Sequence, residues 1–98
     1  MTLSVQQHED KEVRGRVLKM LDFEFPRAMS LQMISDALQS ARYHCSQGQV
    51  EAHLAYLEQK GYVKLENVGL KDLNLQRDMA VLTVQGKDLV EGNIPSDP

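Results

Sequence analysis

The chain has 98 residues, of which 42% are hydrophobic and 26% are charged, an ordinary composition for a globular protein with one modest core. No run approaches the roughly 18 to 20 apolar residues that span a bilayer, which argues against a membrane protein. The net charge of −3 argues against a general affinity for nucleic acid, so any DNA-binding site must be a local patch.

The first predicted helix covers about residues 6–22. Hydrophobic residues recur there at the i, i+4, i+7 and i+8 spacing of one helix face: Val13, Val17, Met20 and Leu21. The other faces carry positive charge, on Lys11, Arg14, Arg16 and Lys19. Gly15 costs such a helix about 1 kcal/mol relative to alanine, so we expect the helix to depend on packing for its stability.

A second, shorter helix is predicted over residues 31–39, after Pro26 breaks the first pattern. Ser30 immediately precedes it, and a serine at that position can accept a hydrogen bond from a free N–H of the first turn. The hydrophobic residues that would share its buried face are Leu31, Ile34 and Leu38.

The third predicted helix covers about residues 47–60, with Ser46 as its cap. Its buried stripe would consist of Val50, Leu54 and Leu57. We expect the two leucines to pack against the first two helices, on Val17, Leu21, Ile34 and Leu38. Tyr56 is expected at the edge of this stripe, and Gln49 and Glu58 are expected on the exposed face.

The hydrophobic period changes at Gly61, within the stretch HLAYLEQKGYVKLE of residues 53–66. A glycine after the last helical residue supplies the left-handed backbone that closes a helix. The alternation that follows predicts a strand over residues 62–68, and a second strand is predicted over residues 79–84. The two strands would form a hairpin with residues 69–78 as its long tip.

A short final helix is predicted from about Val84, with Thr83 as its cap. The hydrophobic residues that would pack back on the core are Leu89 and Val90. The predicted architecture is therefore mainly α with a small β-hairpin: three helices, a two-stranded hairpin and a short C-terminal helix. The length fits one domain, which we place at residues 1–92, followed by a frayed tail at residues 93–98.

Two of these stretches resemble the winged helix-turn-helix family. HLAYLEQKGYVKLE resembles the recognition helix of that family running into its first wing strand, with a leucine-rich helix, a Lys-Gly pair and an aromatic-plus-valine strand start. AVLTVQGKDLVEG, at residues 80–92, resembles the second wing strand and the closing helix. With the two upstream helices the resemblance covers residues 10–92, and the chain is similar in general look to small winged-helix proteins of bacteria and their prophages.

The resemblance implies DNA binding, with the third helix in the major groove and the hairpin tip on the DNA backbone. The positions that match the leading part of the recognition helix and the residues before it are Arg42, Tyr43, His44, Ser46, Gln47, Gln49 and Ala52. Glutamine can pair with adenine through both amide atoms, and arginine can bind guanine or phosphate. Lys71 and Arg77 are the candidate backbone contacts of the wing. Glu51 and Glu58 count against this role, because negative charge approaches phosphate at a cost.

A protein-interaction module, acting as an adaptor or a homodimer, is the alternative. Leu70, Leu73 and Leu75 lie in a hairpin tip that should be polar if it only contacts a DNA backbone, and an exposed apolar patch usually marks a partner surface. The same leucines could instead pack under the wing as a satellite core. The first helix could also dimerise, as in regulators that this chain resembles, and a two-fold dimer would present two recognition helices to a pseudo-palindromic site.

An enzyme is not expected. Cys45 beside His44, with His53 further on, is the only cluster that suggests chemistry, but adjacent residues usually point apart and no third group orients them. A metal site needs three or four ligands, and only His8 remains as a nearby candidate. We therefore expect a buried structural Cys45, surface histidines and no cofactor.

An intracellular, cytoplasmic location is expected. Residues 1–13, MTLSVQQHEDKEV, lack the charged-then-apolar layout of a secretory signal. The single cysteine, Cys45, cannot form an internal disulfide, which agrees with a reducing compartment.

Overall fold

The computed structural model describes residues 5–67 and 78–92. In chain order, these residues form four α-helices and three β-strands. The elements are α1 (Val5–Glu24), β1 (Met29–Ser30), α2 (Leu31–Ser40), α3 (Gln47–Gln59), β2 (Val63–Asn67), β3 (Asp78–Leu82) and α4 (Val84–Val90). The expected mainly helical architecture with a small hairpin is confirmed, and we call the hairpin of β2 and β3 the wing.

The core is built from the helix faces that the hydrophobic spacing predicts. The six side chains expected to pack together are each 0% exposed and belong to one cluster: Val17, Leu21, Ile34, Leu38, Leu54 and Leu57. Gln49 and Glu58 are exposed, as expected. On α1 the buried face differs slightly from the prediction, because Leu18 is buried while Met20 is only partly buried.

The wing belongs to an antiparallel sheet of three described strands in the order β1-β3-β2. Within the wing Val63 lies opposite Leu82, and on the other side of β3 Met29 lies opposite Ala80. β1 was not predicted, since two residues are too few to show an alternating pattern. Its pairing with β3 therefore depends on the tertiary fold, and it leaves β2 as one edge of the sheet.

The change from α3 to β2 takes place at Gly61, which has the left-handed φ of 81°. The Gly61 N–H donates to the Glu58 carbonyl at 2.9 Å, and the Tyr62 N–H donates to the Leu57 carbonyl at 3.0 Å. This pair of bonds is the Schellman arrangement that closes a helix. The wing consequently starts directly from the helix end, with Tyr62 and Val63 already buried.

Thr83 joins the end of α3 to the start of α4. Its hydroxyl donates to the Gly61 carbonyl at 2.6 Å and accepts from the Gly86 N–H at 3.0 Å. Its own N–H donates to the Tyr62 carbonyl at 3.0 Å, which extends the pairing of the wing strands by one residue. The predicted cap of α4 is thus confirmed. The same Thr83 side chain also satisfies the carbonyl of Gly61 at the end of α3.

Gly86 allows α4 to lie directly on this junction. A Cβ atom at this position would lie 2.7 Å from Cδ1 of Leu82 and would overlap the carbonyl oxygen of Tyr62. A backbone carbonyl cannot move aside as the end of a flexible side chain can, so the close packing of α4 requires a glycine here.

Truncation of Leu54 to alanine is expected to lower the free energy of unfolding by about 2 to 5 kcal/mol, because the side chain is completely buried and its removal leaves a cavity. Urea denaturation followed by circular dichroism measures this loss. A loss below about 1 kcal/mol would contradict the assignment of Leu54 to the centre of the core.

Replacing Gly86 with alanine is expected to destabilise the fold by about 1 to 3 kcal/mol, because the added methyl group overlaps the Tyr62 carbonyl. Gly15→Ala is the matched control, since no described atom lies within 4 Å of a Cβ atom there. In the middle of α1 that substitution should be neutral or stabilise by up to about 1 kcal/mol. Equal effects of the two substitutions would show that helix propensity, and not close packing, explains Gly86.

Candidate nucleic-acid interface

The turn between α2 and α3, residues 41–46, has a fixed backbone. The Arg42 N–H donates to the Gln39 carbonyl and the Tyr43 N–H donates to the Leu38 carbonyl, both at 2.9 Å. This arrangement places Arg42 in the left-handed region with a φ of 67°, a conformation that costs a residue other than glycine about 1 kcal/mol. Arg42 is exposed, and its direction is set by this turn.

The start of α3 carries a capping box. The Ser46 hydroxyl accepts from the Gln49 N–H at 3.2 Å, and Oε1 of Gln49 accepts from the Ser46 N–H at 2.8 Å. The side chains of these two expected DNA contacts therefore hold the helix end in place. The Gln49 oxygen already accepts one hydrogen bond, so a contact to adenine through both amide atoms would use the second lone pair of this oxygen or open the capping box. The S-x-x-Q spacing of residues 46–49 is a sequence signature of this box.

Gln47 and His44 are the other expected contacts in this segment, and both are exposed. Neither side chain makes a hydrogen bond or an ion pair with another described residue, so both remain available to a partner. Arg42, His44, Ser46, Gln47 and Gln49 thus lie within one short segment at the leading end of α3.

The outward side of α3 carries mostly small side chains. Residues spaced at i, i+4, i+7 and i+11 share one helix face, and the exposed residues at these positions, opposite the buried stripe, are Gly48, Ala52, Ala55 and Gln59. Of these four residues, only Gln59 has a polar side chain that could hydrogen-bond a base edge, whereas alanine methyl groups can only contact thymine methyls.

The two carboxylates of α3, on Glu51 and Glu58, differ in their contacts with described residues. Oε2 of Glu58 accepts from the Leu65 N–H at 3.4 Å, so this carboxylate covers a backbone donor on the free edge of β2. Lys60, the cation at the end of α3, lies 5.6 Å from the ring centre of Tyr56, which is also contacted by the Arg14 guanidinium at 4.3 Å. Glu51 remains as the carboxylate on α3 that makes no hydrogen bond or ion pair with a described residue.

His53 corrects the expectation that the histidines lie on the surface. Its side chain is buried on the α1 side of α3, with 9% of the residue exposed. Its Nε2 lies 3.7 Å from Oδ1 of Asp10. Burial lowers the pKa of His53, with a further lowering from Arg14, although Asp10 opposes both. His53 is therefore favoured in its neutral form.

Cys45 is half-buried, where a fully buried residue was expected. Burial raises the pKa of its thiol, and the negative charges of Asp10 and Glu9 raise it further. A nucleophilic cysteine needs a lowered pKa, so this environment disfavours that role. No group of three or more histidine, cysteine or acidic side chains within residues 5–67 and 78–92 is placed to hold a metal ion.

The expected wing contacts Lys71 and Arg77, and the wing leucines Leu70, Leu73 and Leu75, lie outside the described residues. The side chain of His8 and the tail at residues 93–98 also lie outside them. None of the described helices is long and apolar enough to cross a bilayer.

Comparison with known families and proteins places the fold in context. A family model described as "winged helix-turn-helix domain" matches residues 4–69, which is more than half of the chain. This segment includes α1, α2, the turn, α3 and β2. A search of curated proteins found no match to the sequence.

The lowered pKa of His53 predicts a specific pH dependence of stability. Below the ordinary histidine value of 6.5, the unfolded state binds a proton that the folded state resists, so stability falls as the pH drops through 6.5 towards the folded pKa and then levels off. His53→Gln should remove this component, which urea midpoints between about pH 7.5 and pH 5.5 measure. His44→Gln is the matched control, because His44 is an exposed histidine. Identical pH profiles would contradict the burial of His53.

Proposed function

The chain belongs to the winged helix-turn-helix domain family, and from this premise we propose that it binds double-stranded DNA as a transcriptional regulator of bacterial or prophage origin. One structural observation carries the proposal beyond the family: the leading end of α3 is exposed, held by its own hydrogen bonds, and preceded by an arginine that forms no ion pair with a described residue. The Arg42 turn and the capping box of Ser46 fix this end before any partner arrives. A fixed surface binds with less loss of conformational entropy than a flexible one.

The exposed side chains of this segment have separate roles in the proposed complex. Arg42 contacts a phosphate or a guanine, and the amide of Gln47 contacts a base edge in the major groove. Ser46 and Gln49 hold the helix start, whose free N–H groups and dipole favour a phosphate. His44 lies beside them on the turn as an additional phosphate contact. Lys71 and Arg77 complete the site in this proposal as contacts between the wing and the DNA backbone.

The charge of the interface limits the electrostatic part of the proposed DNA affinity. Arg42, Lys71 and Arg77 are the cations assigned to phosphates, so the logarithm of the binding constant should fall with the logarithm of salt concentration with a slope of about −3. Glu51 opposes this attraction. A dimer would double the contacts, and a homodimer that presents two α3 helices to a two-fold site is part of the proposal.

The proposed functional unit is the domain at residues 1–92, acting without a catalytic step. A regulator of this kind acts where the genome lies, which places it in the cytoplasm of a bacterial cell.

A protein-interaction module is the second candidate, and the outward face of α3 favours it. Gly48, Ala52 and Ala55 would allow another backbone to approach closely, and Glu51 beside them suits a basic partner better than a phosphate. Under this hypothesis the helix-turn-helix binds a protein helix, and the wing leucines Leu70, Leu73 and Leu75 extend the contact.

Arg42→Ala is expected to weaken binding to all duplexes alike and to flatten the salt slope by about one unit, because it removes one phosphate contact. Fluorescence anisotropy with a random duplex over a range of salt concentrations measures both effects. Gln47→Ala should leave the slope nearly unchanged and should reduce discrimination among selected sequences by about 1 to 3 kcal/mol.

Glu51→Gln should tighten non-specific binding if α3 approaches phosphates, because it removes a repulsive charge. Asp36→Asn is the matched control, since Asp36 is exposed on α2 and bonds Gln32. Equal effects of the two substitutions would indicate only a change in overall charge. Absence of any affinity of the wild type for duplex DNA at low salt would overturn the DNA-binding proposal in favour of the interaction module.

A further inference from the structure

The outer edge of β2 is available for pairing with a further strand. In the sheet order β1-β3-β2 the strand β3 is paired on both sides, whereas β2 is paired with β3 alone among the described strands. Backbone N–H and C=O groups on such an edge can form hydrogen bonds with a strand of another chain. The edge of the wing is therefore a candidate interaction surface.

Alternate residues of β2 direct their backbone groups to this edge. The Thr83 N–H donates to the Tyr62 carbonyl, and every second residue after Tyr62 continues this bonding to β3. The residues between them turn their N–H and C=O groups outward: Val63, Leu65 and Asn67. The Leu65 N–H agrees with this pattern, because it donates to Oε2 of Glu58 on α3 and not to β3.

Glu58 covers the central donor of the edge with a weak bond. The distance of 3.4 Å between the Leu65 nitrogen and the carboxylate oxygen is longer than the usual 2.7 to 3.2 Å. Glu58 is also exposed, so water can replace the Leu65 N–H as its partner. A strand that offers a better acceptor can therefore displace this carboxylate.

Two copies of β2 fit each other when they pair antiparallel about Leu65. Leu65 is the middle residue of the five-residue strand, so a two-fold axis beside it aligns the whole of β2 with β2 of a second copy. The two Leu65 residues then exchange both N–H···O bonds. Their side chains, half-buried at the margin of the core, become neighbours on the same face of the sheet.

The charges of β2 are complementary in this register. The axis places Lys64 of each copy directly opposite Glu66 of the other, in pairs without backbone hydrogen bonds, where side chains lie closest. The ion pairs among the described residues involve neither side chain. Opposite charges in such cross-strand pairs stabilise a sheet, whereas like charges destabilise it. Charges that only protected the edge would repel a second copy, and these attract it.

We propose that the chain forms a homodimer by antiparallel pairing of two β2 edges, in which the Leu65 N–H exchanges the Glu58 carboxylate for the Leu65 carbonyl of the second copy. The two wings then form one continuous sheet. This interface specifies the homodimer of the proposed function and rests on that part of it, whereas the pairing itself does not require DNA.

Sedimentation equilibrium of the full chain without DNA tests the association. We expect a reversible equilibrium between monomer and dimer with a Kd of about 1 to 100 μM, the range of a small interface. Circular dichroism verifies that each variant below is folded.

Lys64→Glu and Glu66→Lys should each weaken the dimer about 10-fold or more, because each places like charges opposite one another in both cross-strand pairs. The combined variant should return to within about 2-fold of the wild-type Kd, since opposite charges face each other again. Lys19→Glu is the matched control for the single reversal, because Lys19 is exposed on α1, and it should change the Kd by less than about 2-fold.

Glu58→Ala should tighten the dimer about 3- to 10-fold, because the variant lacks the acceptor that competes for the Leu65 N–H. Glu51→Ala removes the same charge from the same helix and should change the Kd by less than about 2-fold. Equal effects of these two substitutions would overturn the displacement of Glu58.

Two results would overturn the β2 interface. These are a monomer at all concentrations up to about 500 μM, or a dimer in which the combined variant fails to recover the affinity lost in the single reversals. The second result would leave a homodimer through another surface in place. Absence of DNA binding in the anisotropy experiment would leave the sedimentation result unaffected, so failure of this proposal and failure of the proposed function are distinguishable.

Discussion

The Thr83 hydroxyl is the contact on which the arrangement of the wing and the last helix depends. It donates to the carbonyl of Gly61 at the end of α3 and accepts from the N–H of Gly86 in α4. A two-stranded hairpin is marginally stable alone. The position of β2 and β3 therefore depends on the bonds of Thr83 to the end of α3 and to the start of α4. Gly61 supplies the left-handed turn and Gly86 supplies the space. Because the three residues act together, the wing starts from a defined point on the core.

The helix-turn-helix segment combines local rigidity with few side chains for recognition. Arg42 in a left-handed conformation and the bonded pair of Ser46 and Gln49 fix the backbone. The same bonds occupy groups that would otherwise contact bases, which leaves Gln47 as the freer amide. A surface of this kind suits binding that depends on shape and backbone contacts more than on base-edge hydrogen bonds.

Acidic side chains lie on different sides of α3. The carboxylates of Glu9, Asp10 and Glu12 lie on its α1 side, while Glu58 is bonded to the edge of the wing. Glu58 is therefore engaged by a neighbouring strand, whereas Glu51 is exposed beside the outward face. A net acidic chain can present a nucleic-acid surface only if such groups are neutralised or directed away from it.

The sequence by itself determined the helices, the three serine and threonine caps and the helix end at Gly61, because these features depend on residues within one or two turns of each other. The tertiary structure decided the pairing of β1 with β3, the need for glycine at position 86 and the burial of His53. It also decided that Cys45 lies near the carboxylates of Asp10 and Glu9 on α1. These features join residues far apart in the chain, and a local hydrophobic pattern carries no information about which distant backbone or charge will lie against a side chain.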